Sequence, residues 1–265
     1  MKKTIILFLA ILFTGLCLGF GQVQKPSELT FPPLKFEPPD PAAFRTQLVN
    51  GLRAYIKEDH SLPLVNISAL INFGNIDVPR DKTGLGAVMG DTLIKGGTKT
   101  RDGSVIEDRI DFLGGSLSFS VDERTTTLSL FVRSQDLDEG LALFFDVLMN
   151  PEFCEDPLKL SKARLIEQLR QVNDQPSTVL SREYERLLYG DVSLTWQPTK
   201  ASFESVTSAD LKAIHASYFF PKNIILAASG DFNMPALTKK INTIIAPWKN
   251  IKIAFPAFPQ KFADV

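Results

Sequence analysis

The chain has 265 residues, of which 44% are hydrophobic and 22% charged, and its formal net charge is −1. That apolar fraction is ample for a buried core, as one large domain or two small ones. The near-neutral balance lacks the basic footprint that nucleic-acid binding requires, so no nucleic acid is expected among its partners.

The chain opens with Lys2 and Lys3, an apolar run over residues 4–20 and the small-x-small triplet Gly19-Phe20-Gly21. This layout predicts a secretory signal peptide over residues 1–21. The run falls short of the ~20 apolar residues that span a bilayer, so membrane attachment is expected only if the signal stays uncleaved. Bulky Leu16 makes Cys17 a poor lipid-attachment site. The expected location is therefore outside the cytoplasm, periplasmic or extracellular. Cleavage removes Cys17, Lys2 and Lys3, which leaves Cys154 as the sole cysteine, excludes an internal disulfide and takes the net charge to −3.

Residues 22–43 carry Pro26, Pro32, Pro33, Pro38, Pro39 and Pro41. Each removes a backbone donor and fixes φ, which predicts an extended lead-in. Order is expected over residues 44–250. Asn50-Gly51 is a hairpin turn signal, and Leu52, Ala54 and Ile56 alternate after it. In LPLVNISALINFG the apolar residues Leu64, Val65, Ile67, Leu70 and Ile71 run nearly unbroken, which predicts a strand covered on both faces. Helical spacing follows at 83–95 and 104–113, the second with Ile106, Ile110 and Leu113 on one stripe.

After Gly114-Gly115 the period becomes two. Leu117, Phe119 and Val121 alternate with serines, and Leu128, Leu130 and Val132 answer them across a turn at 122–124, predicting an antiparallel hairpin with one apolar face. Helices are expected at 135–149, 155–173, 177–189, 208–218 and 234–246, with a buried strand in NIILAASGD before the last. Residues 251–265 are proline-punctuated and read as a linker toward a second domain. Hairpins and crossovers are mixed, so the predicted class is α+β, an antiparallel or mixed sheet packed with helices.

Candidate chemistry is thin. His60 lies in a loop and His215 in a helix, neither with a second nitrogen or sulfur ligand nearby in sequence, whereas zinc sites are built on His and Cys at short spacings. Ser104, Ser177 and Ser181 sit at helix starts, where capping explains them. Cys154 has no marked base. Gly96-Gly97 lacks a following Lys-Ser/Thr and reads as a helix stop, not a phosphate cradle.

The helix at 83–95 is the exception. Leu85, Val88, Met89, Thr92 and Leu93 form one stripe, and Ala87, Gly90, Asp91 and Ile94 form a second beside it. A helix so nearly uncharged all round is expected to be buried. Asp91 then needs a partner or a proton. Gly90 costs ~1 kcal/mol relative to Ala in a helix, which points to close packing or to a residue lost without replacement.

Taken together, LVNGLRAYIKEDHSLPLVNISALINFGNIDVPRDKTGLG, GGTKTR, IDFLGGSLSFSVDERTTTLSL, QVNDQPS, LLYGD and YFFPKNIILAASGDFN resemble the pitrilysin/insulinase family of zinc peptidases, which includes mitochondrial processing peptidase. The resemblance covers about residues 44–250 and implies that family's α+β half-domain. Active members carry His-x-x-Glu-His on the helix after Gly-Leu and a distant glutamate on a later helix. The two histidines and the distant glutamate hold zinc, and the motif glutamate activates water. By resemblance, those positions fall on Ala87, Gly90, Asp91 and Gln168, with Glu167 beside the last. All four have changed, and no histidine lies between His60 and His215 to offer another register.

One carboxylate and one amide do not replace two imidazoles and a carboxylate, so no catalytic residue, metal ligand or cofactor is expected in this chain. Gln168, lying with Leu165, Leu169 and Val172, is expected to point inward. The family pairs motif-bearing halves with motif-less ones that help enclose a peptide-binding chamber. The resemblance therefore implies a non-catalytic partner of a zinc-bearing homologue, with peptides as ligands. The alternatives are an active zinc metalloendopeptidase, which family membership alone would suggest, and a stand-alone peptide-binding module that captures extended chains at a sheet edge.

Overall fold

The computed structural model describes residue 38, residues 40–172 and residues 174–251. The signal peptide, most of the proline-rich lead-in and nearly all of the 251–265 tail lie outside the described residues. The unit described here begins at Pro41. Its first residues, Pro41–Phe44, form a 3-10 turn where extended chain was expected, because the last proline of the lead-in stands at the first position of that turn, where its missing N–H costs nothing.

The strands are β1 (Arg45–Gln47), β2 (Arg53–Glu58), β3 (Leu64–Ile71), β4 (Ser116–Val121), β5 (Thr126–Arg133) and β6 (Ile224–Gly230). They form one mixed sheet in the order β1-β2-β6-β3-β5-β4, in which only β2 and β6 run parallel. The β1–β2 hairpin turns where Asn50 and Gly51 both take positive φ, 60° and 80°, as an Asn-Gly turn allows. The predicted β4–β5 hairpin forms, with Leu117 facing Leu130 and Phe119 facing Leu128.

The helices are α1 (Leu85–Lys95), α2 (Gly103–Phe112), α3 (Leu137–Met149), α4 (Glu155–Val172), α5 (Pro176–Tyr189), α6 (Lys200–Ser205), α7 (Ser208–Tyr218) and α8 (Met234–Ile245). Sequence reading passes over α6, a helix too short to show a period. Its signal is the cap: Thr199 accepts from the Ser202 amide at 3.0 Å, and the Ser202 hydroxyl accepts from the Thr199 amide at 2.8 Å.

One face of the sheet makes the core. Ala54, Ile56, Val65, Ile67, Ala69, Ile71, Leu128, Leu130, Val132, Leu226 and Ala228 are all buried. Helices α1, α3 and α8 pack beside β4, β5 and β2 respectively. Among the described residues the other face of β3 is left open, which corrects the expectation of cover on both faces. Its burial alternates, with Val65, Ile67, Ala69 and Ile71 inside, Asn66 and Leu70 exposed, and Ser68 half-buried. The apolar run misleads because Leu70 is 39% exposed, while the other outward residues of β3, Asn66 and Ser68, are polar, Ser68 pairing with the Ser129 hydroxyl at 3.0 Å. An unbroken apolar run can arise from one outward leucine as well as from double coverage.

Candidate functional site

Helix α1 is entered through Gly84, whose φ of +96° is left-handed, and a Cβ there would lie 2.5 Å from the Phe203 ring. The helix buries Leu85, Val88, Met89, Thr92 and Leu93 against β4, α2 and α4. The predicted second stripe is present but not covered: Ala87 is exposed, while Gly90, Asp91 and Ile94 are half-buried. Both the expected full burial of the helix and the close packing of Gly90 are therefore corrected. A Cβ built at Gly90 meets nothing within 4 Å, so that glycine stands at open space with no packing reason for its lost side chain.

Asp91 has partners, and they come from α4. The Ser161 hydroxyl donates to its Oδ2 at 3.0 Å, and the Arg164 guanidinium donates to the same oxygen. The bond to Asp91 raises the pKa of Arg164 above its ordinary value. Asp91 is 21% and Arg164 47% exposed at the side chain, so this pair stabilises by no more than about 1 kcal/mol. Its chemical consequence is larger. The one carboxylate left at the motif is already neutralised by a fixed cation, and a metal ion brought to it would meet that guanidinium.

Gln168 does not point inward as expected. It is exposed, while Leu165, Leu169 and Val172 are half-buried. Only Leu158 and Ser161 of α4 are fully buried, so the later turns of the helix lie more open to solvent. Ser161, Arg164 and Gln168 nevertheless recur at i, i+3 and i+7, one face of one helix. That spacing is the signal by which the Asp91 partners could be sought, one and two turns before Gln168.

A cleft of about 600 Å³ opens beside this helix. It is lined by Gly90, Asp91, Ile94 and Lys95 from α1, by Glu107, Asp108 and Asp111 from α2, and by residues 115–119 leading into and along β4. It thus gathers two of the four motif positions, Gly90 and Asp91, and not Ala87 or Gln168. Strand β4 ends the sheet with β5 as its one strand neighbour among the described residues, so its outer backbone groups face the cleft side unpaired.

The residues present do not fit a zinc ion. Among the described residues, no three His, Cys, Asp or Glu side chains converge into a possible metal site. His60 is exposed and bonded through Nδ1 to Asp231 at 2.6 Å, a contact that raises its pKa. His215 is half-buried against Phe219, its ring 4.6 Å away, with Nε2 bonded to the Leu148 carbonyl at 2.9 Å, and burial lowers its pKa. Cys154 is exposed. Ser104, Ser177 and Ser181 lie within or at the starts of α2 and α5, away from the cleft lining.

Comparison with known proteins gives a family and a fold. The family model described as Insulinase (Peptidase family M16) matches residues 53–194. An uncharacterized zinc protease of Mycobacterium bovis is 26% identical over 207 residues, 76% of this chain and 47% of that protein. The mitochondrial-processing peptidase subunit beta of Blastocladiella emersonii is 22% identical over 200 residues, 75% of this chain and 43% of that one. Among solved structures, a protease from Helicobacter pylori superposes with a TM-score of 0.72 at 20% identity, covering 80% of this chain and 52% of that chain. A peptidase M16 inactive domain from Pseudomonas fluorescens gives 0.68 at 20% identity, covering 80% and 53%. The chain spans about half the length of the relatives it matches.

Proposed function

Because the chain belongs to the insulinase family of peptidases, family M16, we propose that it is a non-catalytic half of a peptidase assembly. In this reading it binds extended peptide in the cleft beside β4 and works with a homologous domain that retains His-x-x-Glu-His. One observation carries the proposal. At Gly90 and Asp91, the two motif positions that line the cleft, the space is open but poor in donors, with Asp91 engaged by Ser161 and Arg164 and nothing beside Gly90. These positions hold no imidazole, and their single carboxylate is shared with a guanidinium, which leaves too few donors to hold a metal ion.

The sheet edge supplies what remains useful. An extended peptide laid against β4 would complete backbone hydrogen bonds that the strand leaves open, while Leu117 and Phe119 offer half-buried apolar contacts. Placement outside the cytoplasm is part of the same proposal and rests on the charged, apolar and small-residue order of residues 1–21.

The test combines metal analysis of the purified chain with a fluorogenic peptide assay and peptide-binding titration. The expected result is peptide binding without stoichiometric zinc or cleavage. Chelator-sensitive cleavage by the purified chain would overturn the proposal. Peptide cleavage that appears only on mixing with a motif-bearing homologue supports the pairing. Peptide binding with no association to such a homologue would favour the stand-alone module.

A further inference from the structure

Helix α5 buries none of its 14 residues, yet one of its faces is turned to the body of the chain. There Arg182, Glu183 and Arg186 line a second cleft, of about 430 Å³, together with Arg80 from the turn before α1 and with Asp191 and Trp196 from the loop after α5. Its charges are not balanced. Asp191 is fully engaged, with Oδ2 accepting from Arg80 at 2.8 Å and Oδ1 from Trp196 Nε1 at 3.1 Å. The Arg80 guanidinium also lies 5.4 Å from the centre of the Trp196 ring, so it is held in place with donors to spare. Glu183 meets Arg182 Nε only at 3.4 Å, a long contact. Arg186 is exposed and enters none of the ion pairs found among the described residues. Three guanidinium groups therefore face two carboxylates. Arg182 and Arg186 stand at i and i+4, where like charges repel and weaken a helix, and an anion seated between them would offset that repulsion.

We propose that this cleft binds a carboxylate of the peptide, from an acidic side chain or from the chain terminus. The excess is a single positive charge, which one carboxylate balances, and the planar guanidinium fork matches a carboxylate in shape. A phosphate group, with close to two negative charges, would leave one of them facing Glu183 and Asp191 uncompensated. The inference rests on the peptide-binding reading above and adds to it what the peptide must present. The position of the cleft suits that role. Thr83 lines it just before α1, and Gly90 lines the cleft beside β4 about two turns further along the same helix. At 1.5 Å per residue the separation is roughly 10 Å, which about three residues of extended peptide would cover. Between the two clefts the helix presents exposed Ala87 and the open space at Gly90.

Capture of peptides by the purified full chain from a pool of random dodecapeptides, read by mass spectrometry, tests it. If a side chain is bound, the captured pool should be enriched in Asp and Glu by about threefold or more; if the terminus is bound, capture should fall by as much on C-terminal amidation. Either preference should vanish in Arg186→Gln, a change at an exposed residue. It should persist in Arg186→Lys, which keeps the charge, and in Arg53→Gln, which removes an exposed arginine on β2. Capture indifferent to both acidic side chains and amidation overturns this inference and leaves the peptide-binding reading standing, whereas no capture of any peptide overturns both. A preference that survives Arg186→Gln places the carboxylate elsewhere and overturns the inference too. Selection of phosphoserine over glutamate, from a pool holding both, overturns the choice of a single negative charge.

Discussion

Two carboxylates, one on α3 and one on α1, have opposite surroundings. Asp146, on α3, accepts from the Thr98 and Thr100 hydroxyls at 2.8 Å each, from Arg101 at 2.7 Å and from Asn150 at 3.1 Å. Burial pushes its pKa up, but those four donors outweigh it and hold the carboxyl below its ordinary value. Asp91, on α1, has two donors on a single oxygen and an open cleft on its other side. The first pins the GGTKTR loop to the body and does structural work. The second is held by a guanidinium beside a cleft, and on the proposed function it stands where active relatives would do chemistry. The family's fold is present in this chain, and the proposal is that the motif positions no longer serve it.

The strongest way to break that comparison is to rebuild the site. Ala87→His, Gly90→Glu, Asp91→His and Gln168→Glu together supply the family's donors. Arg164, left without its carboxylate, would then stand beside a dication. Adding Arg164→Leu should tighten zinc binding by about tenfold or more over the quadruple variant, read by competition with a chromogenic chelator. If neither folded variant binds zinc, the placement of these four positions on one site is wrong.

Deleting each carboxylate comes next. Asp146→Ala should cost about 2–4 kcal/mol in urea unfolding, because it orphans several donors and leaves Arg101 without its ion pair. Asp91→Ala should cost about 1 kcal/mol, since Arg164 reaches solvent and only the buried Ser161 hydroxyl is left without its acceptor. Equal losses would erase the distinction drawn between them.

A gain is expected at Gly90. Its backbone is helical and a Cβ meets nothing, so Gly90→Ala should stabilise the chain by about 0.5–1 kcal/mol. Destabilisation would mean that the open space beside α1 is filled in solution.

The smallest effects are those of pH. His215 has a lowered pKa from burial, so the unfolded chain takes up its proton first. Stability should fall as pH drops through the ordinary histidine value of about 6.5 toward the folded one. His60 has a raised pKa from Asp231, so its contribution is complete below about 6.5 and lost as pH rises through the folded value. His215→Gln should flatten the acid side of the stability curve, and His60→Gln the neutral side.

Much of this was readable without coordinates. The period-two runs at 116–121 and 126–132 gave the hairpin and its apolar face, and the stripe Leu85, Val88, Met89, Thr92 and Leu93 gave the buried face of α1. The partners of Asp91 were not readable from its own segment: Ser161 and Arg164 lie 70 and 73 residues away, and the face they share with Gln168 narrows the candidates without saying which of them bond. The uncovered faces were also hidden. Leu70 in β3, Ala87 and Gly90 in α1, and Leu180 and Leu187 in α5 all have apolar or small side chains that suggest burial.

The chain's own residues determine the order of its elements, the family to which it belongs and the absence of any histidine between His60 and His215. These follow from local periodicity and from which atoms are present, and neither needs a neighbour. Tertiary structure alone decides which apolar stripe finds a cover and which charge stands beside Asp91. Burial and ion pairing are properties of two surfaces brought together, and a single segment specifies only one of them.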